Sequence, residues 1–223
     1  DSHATFTGEA LKAGKYVFVE KPLAISREEL TTLCHVYEDC LRSQASPPLV
    51  MVGFNRRFAP QIQRMKQLLT GISEPKTFAM TINAGYIPRD HWTQDRLIGG
   101  GRIIGEGCHF VDLLRFLAAS PIVGIQAMSA GEDNVTVTLR FADGSIGTVH
   151  YFSNGHKSFP KEQLEVFCSG KVLRLENFRK LRGYGWPGFR KMDLWSQDKG
   201  QAACVTAFVD AIRRGACSPI PWD

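Results

Sequence analysis

The sequence predicts an α+β protein: the remnant of a parallel α/β domain, followed by an α/β domain with a large open antiparallel sheet. Three observations carry this expectation. Residues 13–22, Ala-Gly-Lys-Tyr-Val-Phe-Val-Glu-Lys-Pro, join the end of an apolar-periodic stretch to a β-branched and aromatic run. Helix, short loop and doubly buried strand make half of a βαβ unit. From residue 77 onward, alternating strands follow one another through short turns, which implies antiparallel pairing. Only about 50 residues precede Gly53, against the roughly 100 or more of a complete domain. The first domain, residues 1–58, is therefore expected to be a carboxyl-terminal half, and residues 59–223 a second domain.

Taken in order, residues 6–11 read as a helix ending at Gly14, a position suited to positive φ. Residues 16–19 read as a buried strand. Ser26 with Glu29 forms a capping box, and Leu30, Leu33, Val36, Tyr37 and Leu41 follow at helical spacing. Pro47-Pro48 interrupts the chain before a second buried strand at 49–53. A helix over 60–69 stops at Gly71. Residues 77–83 alternate as a strand, and Ile103, Phe110, Leu113, Leu114 and Leu117 mark a helix. Residues 135–141 and 145–152 flank Ala142-Asp143-Gly144, a hairpin signal. Residues 164–168 and 172–175 form a second hairpin around Ser169-Gly170-Lys171. A final helix spans about 200–214, with Val205, Phe208, Val209 and Ile212 on one face.

Composition narrows the class. The chain is 43% hydrophobic and 22% charged over 223 residues, enough for one or two globular domains. No apolar run approaches the roughly 18 residues of a membrane span, and no signal peptide opens the chain. The six cysteines show no zinc-ligand spacing and read as reduced core thiols. No metal site and no membrane partner are expected, and the compartment is read as cytoplasmic. The net charge of +5 lies partly in a basic and aromatic stretch over residues 171–191. It reads as a strand edge with solvated charges, since no nucleic-acid module surrounds it. Gly183-x-Gly185-x-x-Gly188 matches a dinucleotide-loop spacing, yet residues 178–182 read as no buried strand and no helix comes after. Gly99-Gly100-Gly101 lacks a preceding strand.

Several residues could do chemistry. Lys21 falls where the first strand ends, the side on which open α/β sheets bind ligands. It reads either as a surface lysine or as an ammonium aimed at a substrate oxygen. His109 and Asp112 lie three apart on one helix and can share a face; Asp112 could orient the imidazole or anchor the helix. Residues 83–92 leave a strand and mix polar with aromatic groups. Tyr86, Arg89, His91 and Trp92 there could line a polyol or sugar site, or form an ordinary surface loop. Arg56, after the second strand, could hold an anion or make an interdomain ion pair.

Residues 10–24, Ala-Leu-Lys-Ala-Gly-Lys-Tyr-Val-Phe-Val-Glu-Lys-Pro-Leu-Ala, together with residues 53–60, 99–112 and 218–222, resemble the Gfo/Idh/MocA oxidoreductases over nearly the whole chain. The resemblance implies a Rossmann-type first domain and an NAD or NADP cofactor. It also implies hydride transfer between the nicotinamide and a secondary alcohol of a sugar, polyol or nucleotide sugar. It makes Lys21 a contact of cofactor and substrate, often through a cis Lys-Pro bond, and places Glu20 and Pro22 with it. It makes His109 the general acid/base and sets His3 near the cofactor ribose. Many relatives carry an aspartate four residues before the histidine, where this chain has Gly105. Glu106 is next to it and would point about 100° away on a regular helix. Either Glu106 takes over at the substrate, or Lys21 and His109 act alone. The alternative is a non-catalytic sugar- or partner-binding member.

Val135, Val137, Leu139 and Phe141 share one sheet face, and Thr136, Thr138 and Arg140 the other. The outer face is expected to pack on a second copy of the chain, giving a homo-oligomer. With no phosphate-binding turn in sight, the 223 residues alone are expected to bind a dinucleotide no tighter than about millimolar.

Overall fold

The computed structural model describes residues 2–43, 48–88, 90–95, 98–131 and 133–222. The chain divides into two units. One comprises Asp1–Asn55, Arg89–Cys108 and Ala202–Asp223; the other comprises Arg56–Pro88 and His109–Gln201. The first unit is thus assembled from three separated stretches.

In the first unit, α1 (His3–Lys12) leads to β1 (Val17–Val19), and α2 (Arg27–Ser43) leads to β2 (Val50–Val52). Val17 pairs with Val50 and Val19 with Val52 in parallel register, so helix, strand, helix, strand is realised as expected. Gly14 takes φ 66° after α1. The strand starts at Val17, and Tyr16 is half exposed. The capping box forms with a variation: Glu29 N–H donates to the Ser26 hydroxyl at 3.1 Å, but the Glu29 carboxylate accepts from Ile25 N–H at 2.9 Å. Leu11, Leu33, Cys40, Val19 and Val50 form the core. Two carboxyl-terminal stretches complete it. Phe208 of α5 (Gln201–Arg214) meets Phe18 edge-on at 5.5 Å. Trp222 lies against Tyr37 at 4.5 Å, and the Ser218 hydroxyl donates to the Val50 carbonyl. The buried stripe of α5 is Cys204, Phe208 and Ala211, one step round from the expected face. Val205 is exposed, because the stripe centred on Phe208 and its contact with Phe18 runs through positions 204, 208 and 211, four and three apart.

The second unit is built on eight strands in the order β10-β9-β8-β7-β3-β6-β5-β4. These are β3 (Thr77–Asn83), β4 (Ile122–Ser129), β5 (Val135–Phe141), β6 (Ile146–Phe152), β7 (Glu162–Cys168), β8 (Lys171–Glu176), β9 (Lys180–Tyr184) and β10 (Lys191–Asp193). All pairs are antiparallel except β3 with β6. That parallel pair results from the long connection out of β3, which passes through a helix and a meander before β6 returns alongside. The sequence pattern did not single out β4, β9 or β10 as strands. Leu181 and Phe178 are fully buried, so residues 178–182, expected not to contribute a buried strand, overlap one. No helix succeeds Gly183–Gly188, and a short strand comes instead.

α3 (Pro60–Leu69) and α4 (Cys108–Ala118) bury Ile62, Met65, Phe110, Leu113, Leu114 and Leu117, each worth roughly 1.5–3 kcal/mol of burial. Phe110 reaches Tyr151 of the sheet at 6.4 Å, and Phe78 meets Phe141 at 6.0 Å. Among the described residues, no helix is long and apolar enough to cross a membrane. Nor does any group of three His, Cys, Asp or Glu among them converge for a metal.

Candidate active site

The β1–β2 ladder closes with Gly53 N–H donating to the Val19 carbonyl at 2.8 Å, and Glu20-Lys21-Pro22 begins where it stops. A Cβ at Gly53 would lie 3.2 Å from a Glu20 carboxylate oxygen; glycine there leaves that carboxylate room. The Lys21–Pro22 peptide is cis. His3 Nδ1 donates to the Pro22 carbonyl at 2.7 Å. The half-buried Lys21 ammonium donates to the Gly105 carbonyl at 2.6 Å. Glu20, Lys21 and Pro22 therefore share one turn, and His3, at the start of α1, bonds to it.

Gly105 lies in a π-helical turn, Ile103–Gly107, that runs into α4. In such a turn residues five apart align, and single turns of this kind often occur at functional sites. The regular-helix spacing assumed for Glu106 does not hold here: the π turn changes the angle between Gly105, the half-buried Glu106 and the residues beyond them. His109, in the first turn of α4, is buried. Asp112 does not need the imidazole as partner. Arg57 grips it with two bonds, Nε to Oδ2 at 2.8 Å and Nη2 to Oδ1 at 2.5 Å. Burial pushes the Asp112 carboxyl above the usual range, and Arg57 opposes that shift. Of the two roles open to Asp112, the geometry is that of a helix anchor.

Arg56 also takes its structural alternative. Its Nε and Nη2 meet the Glu162 carboxylate at 2.9 and 3.0 Å, its guanidinium lies 5.0 Å over Phe110, and it is 6% exposed. Both partners belong to the second unit. Lys199 adds a third bond to Glu162 at 2.5 Å. Burial raises the Glu162 carboxyl, but Arg56 and Lys199 together hold it below the usual range. An arginine buried and paired in this way is spent on structure rather than offered to a substrate anion.

The loop after β3 is partly local structure. His91 Nδ1 accepts from Thr93 N–H at 3.3 Å and pairs with the Thr93 hydroxyl at 2.8 Å, capping a short 3₁₀ turn, Trp92–Gln94. A Cβ at Gly99 would come within 2.8 Å of Thr93 Cα and the Trp92 carbonyl, so the first glycine of the triplet is fixed by backbone contact. Trp92 and Tyr86 are exposed. Arg89 lies outside the described residues. Sequence reasoning missed Asp112 as the partner of Arg57 and Glu162 as the partner of Arg56; adjacent arginines were visible, but nothing near Glu162 links it to a residue 106 positions earlier.

Solved structures of oxidoreductases share this α+β fold. An oxidoreductase domain protein from Kribbella flavida superposes with a TM-score of 0.82, covering 98% of this chain and 71% of that one at 22% identity. An oxidoreductase from Agrobacterium radiobacter, solved in complex with NAD+, L-tartaric acid and magnesium, gives a TM-score of 0.76 over 98% of this chain and 69% of that one at 19% identity. Residues 62–174 match the model of the GFO/IDH/MocA C-terminal domain. The chain belongs to the Gfo/Idh/MocA oxidoreductase family. Inositol 2-dehydrogenase 3 of Saccharopolyspora erythraea is 31% identical over all of this chain and 67% of its own length. Matches to other curated relatives cover as little as 16% of their length.

Proposed function

We propose that the protein is an NAD(P)-dependent oxidoreductase that transfers hydride between the nicotinamide and a secondary alcohol of a sugar, polyol or nucleotide sugar. The observation that carries this reading is Lys21: a half-buried ammonium past the carboxyl end of β1 that donates to a neutral carbonyl. Among the described residues it makes no ion pair. An ammonium held this way can exchange Gly105 for a substrate oxygen and stabilise charge developing there. His109 takes the alcohol proton during oxidation and returns it during reduction. The turn residues Glu20, Lys21 and Pro22, with His3 holding the Pro22 carbonyl, suit the nicotinamide end of the cofactor. The bound nicotinamide supplies the hydride acceptor or donor. Tyr86, Arg89, His91, Trp92 and Glu106 are assigned to the substrate side. The relatives named inositol 2-dehydrogenase support a polyol as substrate class.

The domain division at residue 58, a cytoplasmic location and a homo-oligomer belong to the same proposal. The location is supported by six cysteines outside any disulfide. The oligomer is supported by the outer sheet face: Ile146 and Phe167, both paired with Thr77, are exposed, as is Met128 opposite Thr136. Such a row on an open sheet calls for cover. A second copy on β5, β6 and β3 would supply it, and light scattering at micromolar concentration tests it: a monomer speaks against it.

Turnover tests the function. The full-length protein should reduce NAD+ or NADP+ with at least one compound from a panel of inositols, aldoses and nucleotide sugars. Gly105, which offers no carboxylate, favours the alternative of a non-catalytic sugar binder. Saturable sugar binding with no nicotinamide reduction and no cofactor binding would establish that alternative instead.

A further inference from the structure

The chain's net charge is +5, and residues 171–193 alone hold seven Lys and Arg against two Asp and Glu. That single stretch carries an excess equal to that of the whole chain. It folds into β8, β9 and β10 at one edge of the sheet. Most of its cations are engaged. Arg174 meets Glu165, Lys180 meets Glu176 and Arg182 meets Asp193. Lys171 lies 5.6 Å over Trp186, and Arg179 donates to the Leu194 carbonyl. The side chains of Arg190 and Lys191 make no hydrogen bond or ion pair among the described residues.

Those two cations line a cavity of about 500 Å³ together with Arg182, Gly183 and Tyr184. The backbone beneath them is tightly fixed. Gly183 N–H donates to the Arg190 carbonyl at 2.9 Å, and a Cβ at Gly183 would lie 2.6 Å from the Phe189 ring. Trp186 Nε1 donates to the Val172 carbonyl at 3.0 Å. Cations placed on a fixed hairpin lose little freedom when a ligand arrives. A guanidinium presents two donors to one phosphate, and an ammonium adds a compact charge beside it. The volume falls within the roughly 300–1,000 Å³ of small-molecule sites. Tyr184, half exposed, offers an aromatic face with a hydroxyl at its edge.

We propose that this cavity binds a phosphate monoester, with Arg190 and Lys191 on the phosphate and the Tyr184 ring against a planar ester group. The site uses none of the residues assigned to hydride transfer. It also differs in kind from a glycine-rich phosphate loop, since side chains rather than backbone N–H groups hold the anion.

Calorimetric titration of the full-length protein with phenyl phosphate and with inorganic phosphate, at fixed ionic strength, tests this. Phenyl phosphate should saturate one site. Arg190→Gln with Lys191→Gln should weaken it at least about tenfold, on the scale of one charge-assisted bond, and each single change should weaken it by less. Tyr184→Leu should weaken phenyl phosphate more than inorganic phosphate. Lys180→Gln, a change in a paired cation of the same meander, should shift either affinity less than about twofold. Equal weakening by Lys180→Gln would reduce the site to diffuse charge and overturn the proposal. Absence of saturation would overturn it too. So would binding of a single-stranded oligonucleotide through Arg190 and Lys191 without binding of phenyl phosphate, which would make the surface a polynucleotide edge.

Discussion

Two charged turns come after the two parallel strands, and they have opposite fates. After β1, Lys21 is half-buried and bonded to a backbone carbonyl, with no carboxylate paired to it among the described residues. After β2, Arg56 and Arg57 are buried and each holds a carboxylate with two bonds. Both turns stand at the carboxyl end of a strand, where α/β sheets place ligands. Topology alone therefore does not separate a cation without a counter-charge from one that is paired. The difference lies in whether the charge already has a counter-charge. A cation resting on a neutral carbonyl can change partners at modest cost, whereas one withdrawn from a buried carboxylate strands an ionised group.

The largest expected effects fall on the second turn. Arg57→Ala should lower the unfolding free energy by roughly 3–5 kcal/mol, the usual cost of breaking a buried pair from one side. Arg56→Ala should do the same, since Glu162 would keep only Lys199. Chemical denaturation of the variants checks both. A loss below about 1 kcal/mol in either would mark that arginine as a cation available to a ligand.

Acid separates the two pairs next. Glu162 has its folded pKa lowered by Arg56 and Lys199 against the opposing effect of burial. Its contribution is complete above the unfolded carboxyl value and is lost as pH falls through the lower folded one. Asp112 runs the other way: burial raises its folded value, so its ionised form costs stability that acidification returns. Glu162→Gln should therefore flatten the acid limb of a stability–pH curve between roughly pH 5 and 2, while lowering stability at neutrality. An unchanged acid limb would mean that Glu162 is not the group whose protonation destabilises the unit.

The smallest effect belongs to the surface. Lys180 and Glu176 are partly exposed and lie 3.6 Å apart, so Lys180→Ala should change stability by less than about 1 kcal/mol. Thermal unfolding of that variant sets the baseline for the others.

Much of this fold was legible in the chain. The run around Val17 to Val19, the Ser26–Glu29 cap and the hairpin at Ala142-Asp143-Gly144 are local signals, and local signals survive folding. The π turn at Ile103–Gly107 was not legible, because its five residues differ from an α-helical turn only in hydrogen-bond spacing. Nor was the parallel placement of β3 beside β6, which depends on a crossover rather than on either strand. Lys21 and His109 were read as chemistry-bearing by resemblance. The availability of Lys21 and the engagement of Arg56 came only from their partners in space.

On the proposed reading Lys21 carries chemistry while Arg56 and Arg57 carry structure. It is tested most directly by measuring kcat and the unfolding midpoint together in Lys21→Met of the full-length protein. The expected result is a fall in kcat of roughly 10²-fold or more, with unfolding free energy held within about 0.5 kcal/mol of the unsubstituted protein. Turnover retained alongside a collapsed midpoint would contradict it.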